Sequence, residues 1–240
     1  MGVFLTAEWR YLLILNYVVA PDLLRPYVPS GVELDTWNNQ TCLSMVGFLF
    51  QQTKVLGCRI PWHSDFEEVN LRFYVRRRAP DGWRRGVVFI KEIVPRRLIA
   101  TVARRCYNEP YDAMPMRHKI ELENGRLRNG GSIEYAWHHK GHWNSLRAIT
   151  TGIPLPLVEG SEEEFITEHY WGYTAQRNGG CKEYHVDHVP WKVWQAKEAT
   201  LRCETATFYG AKFAEPLGAS PQSAFVAEGS PVTVGSGTTL

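Results

Sequence analysis

A polar stripe follows one face of a strand near the middle of the chain. From Glu68 to Arg76 apolar and polar side chains alternate, so one face carries Glu68, Asn70, Arg72 and Tyr74. These side chains supply a carboxylate, an amide, a guanidinium and a phenol, which can bind small polar molecules and exchange protons with them. In a closed sheet the stripe would line an interior pocket, whereas in an open antiparallel sheet it would face solvent. The alternation by itself favours the solvent-facing arrangement.

A hairpin is predicted to position this stripe. The sequence APDG at 79–82 has turn chemistry, and the run GVVFIKEIV from Gly86 returns as the partner strand. Alternation in the partner strand predicts that one face carries Val88, Ile90, Glu92 and Val94. Glu92 is therefore a second candidate acid or base beside Glu68.

Five arginines and a tryptophan gather on the two arms of the hairpin: Arg76, Arg77, Arg78, Trp83, Arg84 and Arg85. Such a patch can bind phosphates and stack a base, but more often it is the solvated end of a hairpin. The net charge is only +2, and no nucleic-acid-binding motif accompanies the patch. We therefore expect no nucleic-acid partner.

Histidines lie near two turns, at 138–142 and 185–188. A metal site needs three or four converging ligands, and adjacent strand residues such as His138 and His139 point to opposite faces. The chain also lacks the GxSxG, HExxH, Walker and GxGxxG motifs. We expect neither a metal nor a cofactor.

Strands predominate in the rest of the chain, with a few short helices. Predicted strands cover 9–19, a two-sided apolar run at 41–50, and an antiparallel meander at about 116–150. Predicted helices open at Pro21, at Pro95 and, with the capping box Ser161/Glu164, over 162–170. The Gly-, Ser- and Pro-rich tail from about 215 to 240 has strand character only at 224–226 and 232–234.

Length and composition are those of an ordinary globular chain. The 240 residues are 44% hydrophobic and 22% charged, which predicts one domain spanning 1–240. The five cysteines are odd in number and contain no CxxC pair, which is typical of a reducing compartment. No apolar run is long enough to span a bilayer and no signal peptide is evident, so we expect a cytoplasmic protein without a membrane partner. The oligomeric state is not indicated.

Several blocks together resemble the uncharacterised YqjF-like family. They are FEEVNLRFYVRR (66–77), GVVFIKEIVPRR (86–97), YNEPYDAMPMRH (107–118), FITEHYWGY (165–173) and HVPW (188–191). That family is grouped with the acetoacetate decarboxylase-like superfamily. The resemblance implies a strand-rich α+β fold, built as a closed cone or barrel of antiparallel strands with a buried central pocket. Given this resemblance, we expect the polar stripe to face the interior rather than the solvent.

The resemblance also implies a lost function. In the decarboxylases an adjacent lysine pair follows a proline, and one lysine forms a Schiff base with the keto acid. Here the matching positions after Pro95 are Arg96 and Arg97, whose guanidinium groups stay protonated and do not form imines. Lys91 is close in sequence, but alternation puts it on the face opposite Glu92.

Two functions remain open. The first is a pocket protein that binds a small organic ligand, most simply an anionic oxo or carboxylic acid. The candidate ligand-binding residues are Asn70, Arg72, Tyr74, Arg96, Arg97, Tyr107 and Tyr111. The second is an enzyme that acts on small oxo or carboxylic acids by acid–base chemistry without an imine. Its candidate catalytic residues are Glu68, Glu92 and His118.

Overall fold

The fold is strand-rich α+β. A computed structural model describes residues 2–59, 61–177 and 179–240, apart from the side chain of Cys106. The strands are β1 (Val3–Val19), β2 (Glu33–Leu34), β3 (Thr41–Val55), β4 (Cys58–Arg59), β5 (Phe66–Ala79), β6 (Gly82–Val94), β7 (Tyr111–Ala113), β8 (Met116–Ile120), β9 (Leu122–Glu123), β10 (Arg126–Leu127), β11 (Ser132–His139), β12 (His142–Leu155), β13 (Trp171–Ala175), β14 (Cys181–Asp187), β15 (Val193–Arg202), β16 (Ser223–Gly235) and β17 (Thr238–Thr239). The helices are short: α1 (Pro21–Leu24), α2 (Arg97–Cys106), α3 (Glu162–Thr167), α4 (Thr205–Tyr209) and α5 (Ala214–Gly218), with 3-10 turns at Arg25–Tyr27 and Ala211–Phe213.

Strand pairing closes into a ring. The order around it is β1, β3, β5, β6, β13, β14 and β16, which pairs again with β1. Two short seams complete the closure: β6 meets β13 at Gly86 and Val87, and β14 meets β16 at Val186 and Asp187. The predicted closed arrangement of strands is confirmed. It differs in one respect, because β6 pairs in parallel with both β13 and β7, where antiparallel strands were predicted.

A second layer of strands covers part of the ring. β15, β12, β11 and β8 continue the sheet from β16, and Tyr135 and Trp137 of β11 pack into one core with apolar residues of β1, β3 and β5. Gly47 of β3 lies under Tyr135, where a Cβ would come within 2.7 Å of the ring. The two-sided apolar run of β3 is therefore covered on both faces, as its pattern predicts.

The two faces of β5 separate as predicted. Val69, Leu71 and Phe73 are fully buried in the core between the layers, so the polar stripe of the same strand faces the inside of the ring. The prediction for β6 is wrong in part. Its pairing with β5 shifts between Lys91 and Phe89, which is a β-bulge at Ile90. The bulge reverses the alternation, so the face of Glu92 does not continue through Ile90.

Two further predictions differ from the structure at element ends. The helix predicted over 162–170 ends at Thr167, although its Ser161 cap is present and accepts a hydrogen bond from the Glu164 N–H at 3.1 Å. Most of the tail forms one continuous strand, β16, where two short pieces were predicted, because this segment pairs with β1, β14 and β15, and these partners override its Gly- and Pro-rich composition. In the described ranges, no helix is both long enough and apolar enough to cross a bilayer.

The seam between β6 and β13 generates a test of ring closure. A Cβ on Gly86 would lie 2.4 Å from the carbonyl oxygen of Trp171 and 2.6 Å from the ring of Tyr173. We expect Gly86→Ala to lower the free energy of unfolding by about 1–3 kcal/mol, because backbone on both sides of the seam must move. Gly218→Ala is the matched control, since a Cβ there meets no atom within 4 Å, and we expect a change within about 0.5 kcal/mol. Equal effects of the two substitutions in urea unfolding would contradict a tight seam.

Candidate functional site

A cavity of about 150 Å³ lies inside the ring. Its walls come from the inward faces of β1, β3, β5 and β6, and helix α2 covers it with Leu98, Ile99 and Val102. Leu98 is also exposed, so the cavity reaches the surface beside this helix.

Three glutamates bring their carboxyl groups to this cavity. Glu68 lies on β5, Glu92 on β6, and Glu109 in the loop that follows α2. Their exposed fractions are 2%, 1% and 7%. Glu92 is the register partner of Asn70, so the polar groups of β5 and β6 meet on the same inner surface. Ionised carboxylates are costly in such surroundings, because they lose water and repel one another.

Phenols and an amide share hydrogen bonds with these carboxyl groups. Glu68 accepts bonds from the Tyr111 hydroxyl at 2.9 Å and from Asn70 Nδ2 at 3.0 Å. Tyr111 is also the register neighbour of Glu92 on the parallel strand β7, so its hydroxyl lies between two of the glutamates. The third carboxyl group, of Glu109, accepts a hydrogen bond from the hydroxyl of Tyr184.

Burial raises the pKa of all three carboxyl groups. The pKa of Glu68 rises to about 7 despite the opposing hydrogen bonds from Asn70 and Tyr111, and that of Glu109 also rises to about 7. For Glu92 burial is reinforced by the charges of the other two glutamates, and its pKa lies well above the ordinary value. Burial and the neighbouring carboxylates therefore favour the protonated form of Glu92, which can donate a hydrogen bond or a proton.

A buried cation lies on the same surface. Arg72 donates from Nη2 to the carbonyl oxygen of Ile166 at 3.4 Å, and its guanidinium carbon lies 5.7 Å from the centre of the Tyr74 ring. Among the described residues of the cavity wall, Arg72 is the one arginine or lysine. It is thus the side chain best placed to attract an anion.

A buried histidine completes the wall. His169 follows the early end of α3 and packs against the rings of Tyr74 and Phe165, with centroid distances of 4.7 and 5.3 Å. Its Nε2 lies 3.7 Å from Oδ2 of Asp35, which accepts a hydrogen bond from Arg85 Nε at 2.7 Å. Burial lowers the pKa of His169 to about 4, although Asp35 opposes the shift. The imidazole is therefore neutral at pH 7 and can accept a proton.

Several buried polar atoms around the cavity lack a hydrogen-bond partner among the described residues. They are Trp9 Nε1, Thr53 Oγ1, Asn70 Oδ1, Arg72 Nε, Glu92 Oε2 and both ring nitrogens of His169. Buried polar atoms in folded proteins nearly always have a partner. The residues that carry these atoms lie around the cavity, and the described residues leave the hydrogen-bonding capacity of these atoms unused.

Comparison with known sequences assigns a family. Residues 6–231 match the model of DUF2071, a family described as an uncharacterized conserved protein. The chain belongs to this family. It is 30% identical to the uncharacterized protein YqjF of Bacillus subtilis (strain 168) over 205 residues, which cover 83% of this chain and 78% of that one.

Solved structures with the same fold are enzymes. The chain resembles the enduracididine biosynthesis enzyme MppR complexed with pyruvate, with a TM-score of 0.72 and 12% identity over 100% of this chain and 91% of that one. It also resembles acetoacetate decarboxylase from Legionella pneumophila, with a TM-score of 0.68 and 13% identity over 100% and 88% of the two chains. The TM-scores show a shared acetoacetate decarboxylase-like fold, and identities this low show nothing about the chemistry of this chain.

The structure brings together only part of the predicted site. Glu68, Asn70, Arg72, Glu92, Tyr107 and Tyr111 line the cavity. Tyr74 is buried on the same face of β5 but lies behind the wall, where its hydroxyl donates to Ser44 Oγ at 2.7 Å. Tyr107 uses its hydroxyl to bind the carbonyl oxygen of Gly235 at 3.1 Å.

Three other candidates lie outside the cavity wall. Arg96 and Arg97 are exposed where α2 begins, because the helix turns its apolar face inward and its charged residues outward. His118 is exposed on β8 and binds Glu67 at 2.7 Å. Lys91 pairs with Asp112 at 3.2 Å on the face opposite Glu92 and is not part of the cavity wall.

The basic hairpin is largely neutralised by ion pairs. Arg77 and Arg84 both bind the buried carboxylate of Glu183 at 2.7 Å. Arg76 pairs with Glu33 at the same distance. Most of the positive charge that the sequence places here is therefore matched by nearby acids.

Sequence reasoning missed three members of the site: Glu109, His169 and Tyr184. Glu109 lies in an irregular loop. Tyr184 lies on β14, which the ring pairs with β16, a strand distant in sequence. His169 was within a block shared with the family, but the predicted helix continued through it. The early end of α3 leaves His169 outside the helix, where it packs against Tyr74 and Phe165, and these tertiary contacts cannot be read from the sequence.

The raised pKa of Glu68 predicts a pH dependence of stability. A carboxyl group that titrates near 4.5 when unfolded and near 7 when folded is harmless at low pH, and its penalty grows as pH rises through this window. Replacing Glu68 by Gln removes that penalty. We expect the variant to gain up to about 3 kcal/mol relative to the parent chain between about pH 4.5 and pH 8, measured by urea unfolding at each pH.

The neighbouring Glu67 gives a matched control of opposite sign. Its hydrogen bond to His118 lowers its pKa, so its stabilisation is present at neutral pH and is lost as pH falls through the lowered value. Glu67→Gln should not reproduce the gain of Glu68→Gln between about pH 4.5 and pH 8, because Glu67 carries no penalty that grows as pH rises. A parallel pH profile of Glu68→Gln and the parent chain would contradict a buried carboxyl with a raised pKa.

Proposed function

We propose that this protein binds a small oxo or carboxylic acid in the cavity and exchanges protons with it through buried acid and base groups. The observation that carries the proposal is the set of buried polar atoms that lack partners among the described residues and that belong to residues lining the cavity, namely Asn70, Arg72, Glu92 and His169. A ligand with a carboxylate and a carbonyl oxygen matches these atoms, because it offers acceptors to Arg72 and to a protonated Glu92.

The carboxyl groups are compatible with an anionic ligand because burial raises their pKa values and so favours their protonated, uncharged forms. A protonated Glu92 is a hydrogen-bond donor, and it adds no negative charge to the cavity. Fewer charged carboxylates of the protein then compete with the ligand for Arg72. A ligand carboxylate supplies the acceptor that Arg72 Nε lacks among the described residues.

Acid and base roles follow from the opposite pKa shifts. His169 is neutral and can remove a proton from the carbon beside a carbonyl, while Glu92 is protonated and can donate to the carbonyl oxygen as an enol forms. Tyr111 and Glu68 supply a short path for returning protons, because the phenol lies between Glu68 and Glu92. No amine takes part in this chemistry.

A second candidate is a binding protein without catalysis. Its support is the position of Lys91, which lies away from the cavity beside Asp112, so an imine-forming amine is missing from the described wall. The two candidates share the ligand and differ in proton exchange.

The ligand contact is tested by substitution of the buried arginine. We expect the parent chain to bind pyruvate in calorimetric titration, and Arg72→Met to weaken binding at least about tenfold through loss of a charge-assisted hydrogen bond. Arg96→Met removes an exposed guanidinium of the same chain and is the control, with affinity unchanged. The proposal fails if both variants bind pyruvate as the parent does, provided circular dichroism shows that both are folded.

Catalysis is tested by hydrogen exchange on the ligand. We expect the parent chain to speed deuterium incorporation into the methyl group of pyruvate in D₂O, followed by proton NMR, and Glu92→Gln to slow it about a hundredfold with little change in affinity. Gln keeps the shape and a donor but has no acidic proton. Binding without exchange in the parent chain would instead favour the binding protein.

A further inference from the structure

Polar and apolar groups occupy different parts of the cavity. Along the inner face of β5 the residues run Phe66, Glu68, Asn70, Arg72. Phe66 and Arg72 are three two-residue steps of about 6.7 Å apart along the backbone, and their side chains extend from these two positions into the same cavity. The cation that can hold a carboxylate is therefore at one end, and an aromatic ring is at the other.

The apolar end has a wall of aromatic rings. Phe50 of β3 stacks on Phe66 with centroids 4.7 Å apart, and Trp9 of β1 contacts Phe50 and Phe48 edge-on at 5.8 and 5.3 Å. These contacts hold the rings in place before any ligand arrives. They create a rigid apolar surface of the kind that packs against another ring or a branched alkyl chain.

Helix α2 faces this wall. Leu98, Ile99 and Val102 recur at helical spacing on its inner side, and the small residue Ala103 lies beside them. Arg104 and Arg105 are on the exposed side. The space between the wall and the helix is thus bounded by apolar groups.

A ligand as short as pyruvate fills only the polar end. The remaining apolar space would stay empty or hold poorly bonded water, and either arrangement forfeits packing contacts with the rings. An apolar cavity of about 150 Å³ accepts a molecule of benzene size, and the whole cavity here, with its polar end included, has about that volume.

We propose that the substrate is an oxo acid whose carbon chain ends in an aromatic or branched apolar group, held between the aromatic wall and helix α2. This inference rests on the proposed function and specifies the part of the substrate that Arg72 and the glutamates do not contact. The carboxylate lies toward Arg72, and the apolar group lies beside Phe50, Phe66 and Ile99.

The test compares three oxo acids on the full chain. Phenylpyruvate, ketoleucine and pyruvate share the oxo-acid head and differ in the group attached to it. We expect calorimetric titration to give dissociation constants at least about tenfold lower for phenylpyruvate and ketoleucine than for pyruvate, because only these two bury an apolar group.

Two variants locate the apolar group. Ala103→Phe fills the space under α2 and should abolish the advantage of phenylpyruvate while leaving pyruvate binding unchanged. Arg105→Phe adds the same side chain on the exposed side of the helix and is the matched control, with the advantage retained. Should Ala103→Phe fail to fold, Ile99→Ala serves, with a loss of about threefold to tenfold for phenylpyruvate and none for pyruvate.

Each outcome decides a different statement. Pyruvate binding that equals or exceeds that of the other two acids and depends on Arg72 would overturn this inference and leave the proposed function standing. A preference for phenylpyruvate that Ala103→Phe and Ile99→Ala both leave intact would also overturn it. No binding of any of the three acids would overturn the proposed function and this inference together.

Discussion

The burial of three carboxyl groups inside a ring of strands is the constraint on which the rest of the structure depends. Water normally stabilises the charge of a carboxylate, and Glu68, Glu92 and Glu109 are almost completely shielded from water. With Arg72 as the one lysine or arginine of the described wall, the charges cannot all be matched. Protonation is the remaining way to lower the energy, and it turns acceptors into donors. Burial of the carboxyl groups therefore causes both the electrostatic cost of their charges and their ability to donate protons.

The fold sustains this cost through packing elsewhere. The outer face of β5 is fully buried against the second layer of strands, so the strand is fixed and its inner face cannot turn toward solvent. Closure of the ring depends on two short seams, and at one of them Gly86 lets β6 approach the carbonyl of Trp171. A polar interior is thus held in place by apolar contacts on the other side of the same strands.

The sequence predicts the alternation of β5 but not which face is inside. A period-two pattern by itself favours a polar face toward solvent, and the family resemblance was needed to place Glu68, Asn70 and Arg72 in the interior. The bulge at Ile90 could not be predicted from β6 alone, since it arises from pairing with β5. The strand β16 was predicted only in pieces, because three partner strands order a segment with low intrinsic propensity.

The candidate site follows the same division. Residues on one regular strand, such as Glu68 and Arg72, could be predicted together, whereas Glu109 and His169 come from irregular segments that only the closed ring brings near. Arg96 and Arg97 matched the decarboxylase lysines by position in the sequence, yet the structure has them exposed at the start of α2. Two residues can match in sequence position while their side chains point in different directions, as happens here at the start of α2.

Protonation of the cavity is the most direct test of this account. Glutamate labelled with carbon-13 at the side-chain carboxyl allows each carboxyl group to be titrated by NMR in the folded protein. The account predicts that the carboxyl resonance that disappears in Glu92→Gln titrates well above the ordinary pKa of a glutamate. Titration of every glutamate close to the ordinary pKa of about 4.3 would contradict it, since the carboxyl groups would then be solvated rather than enclosed.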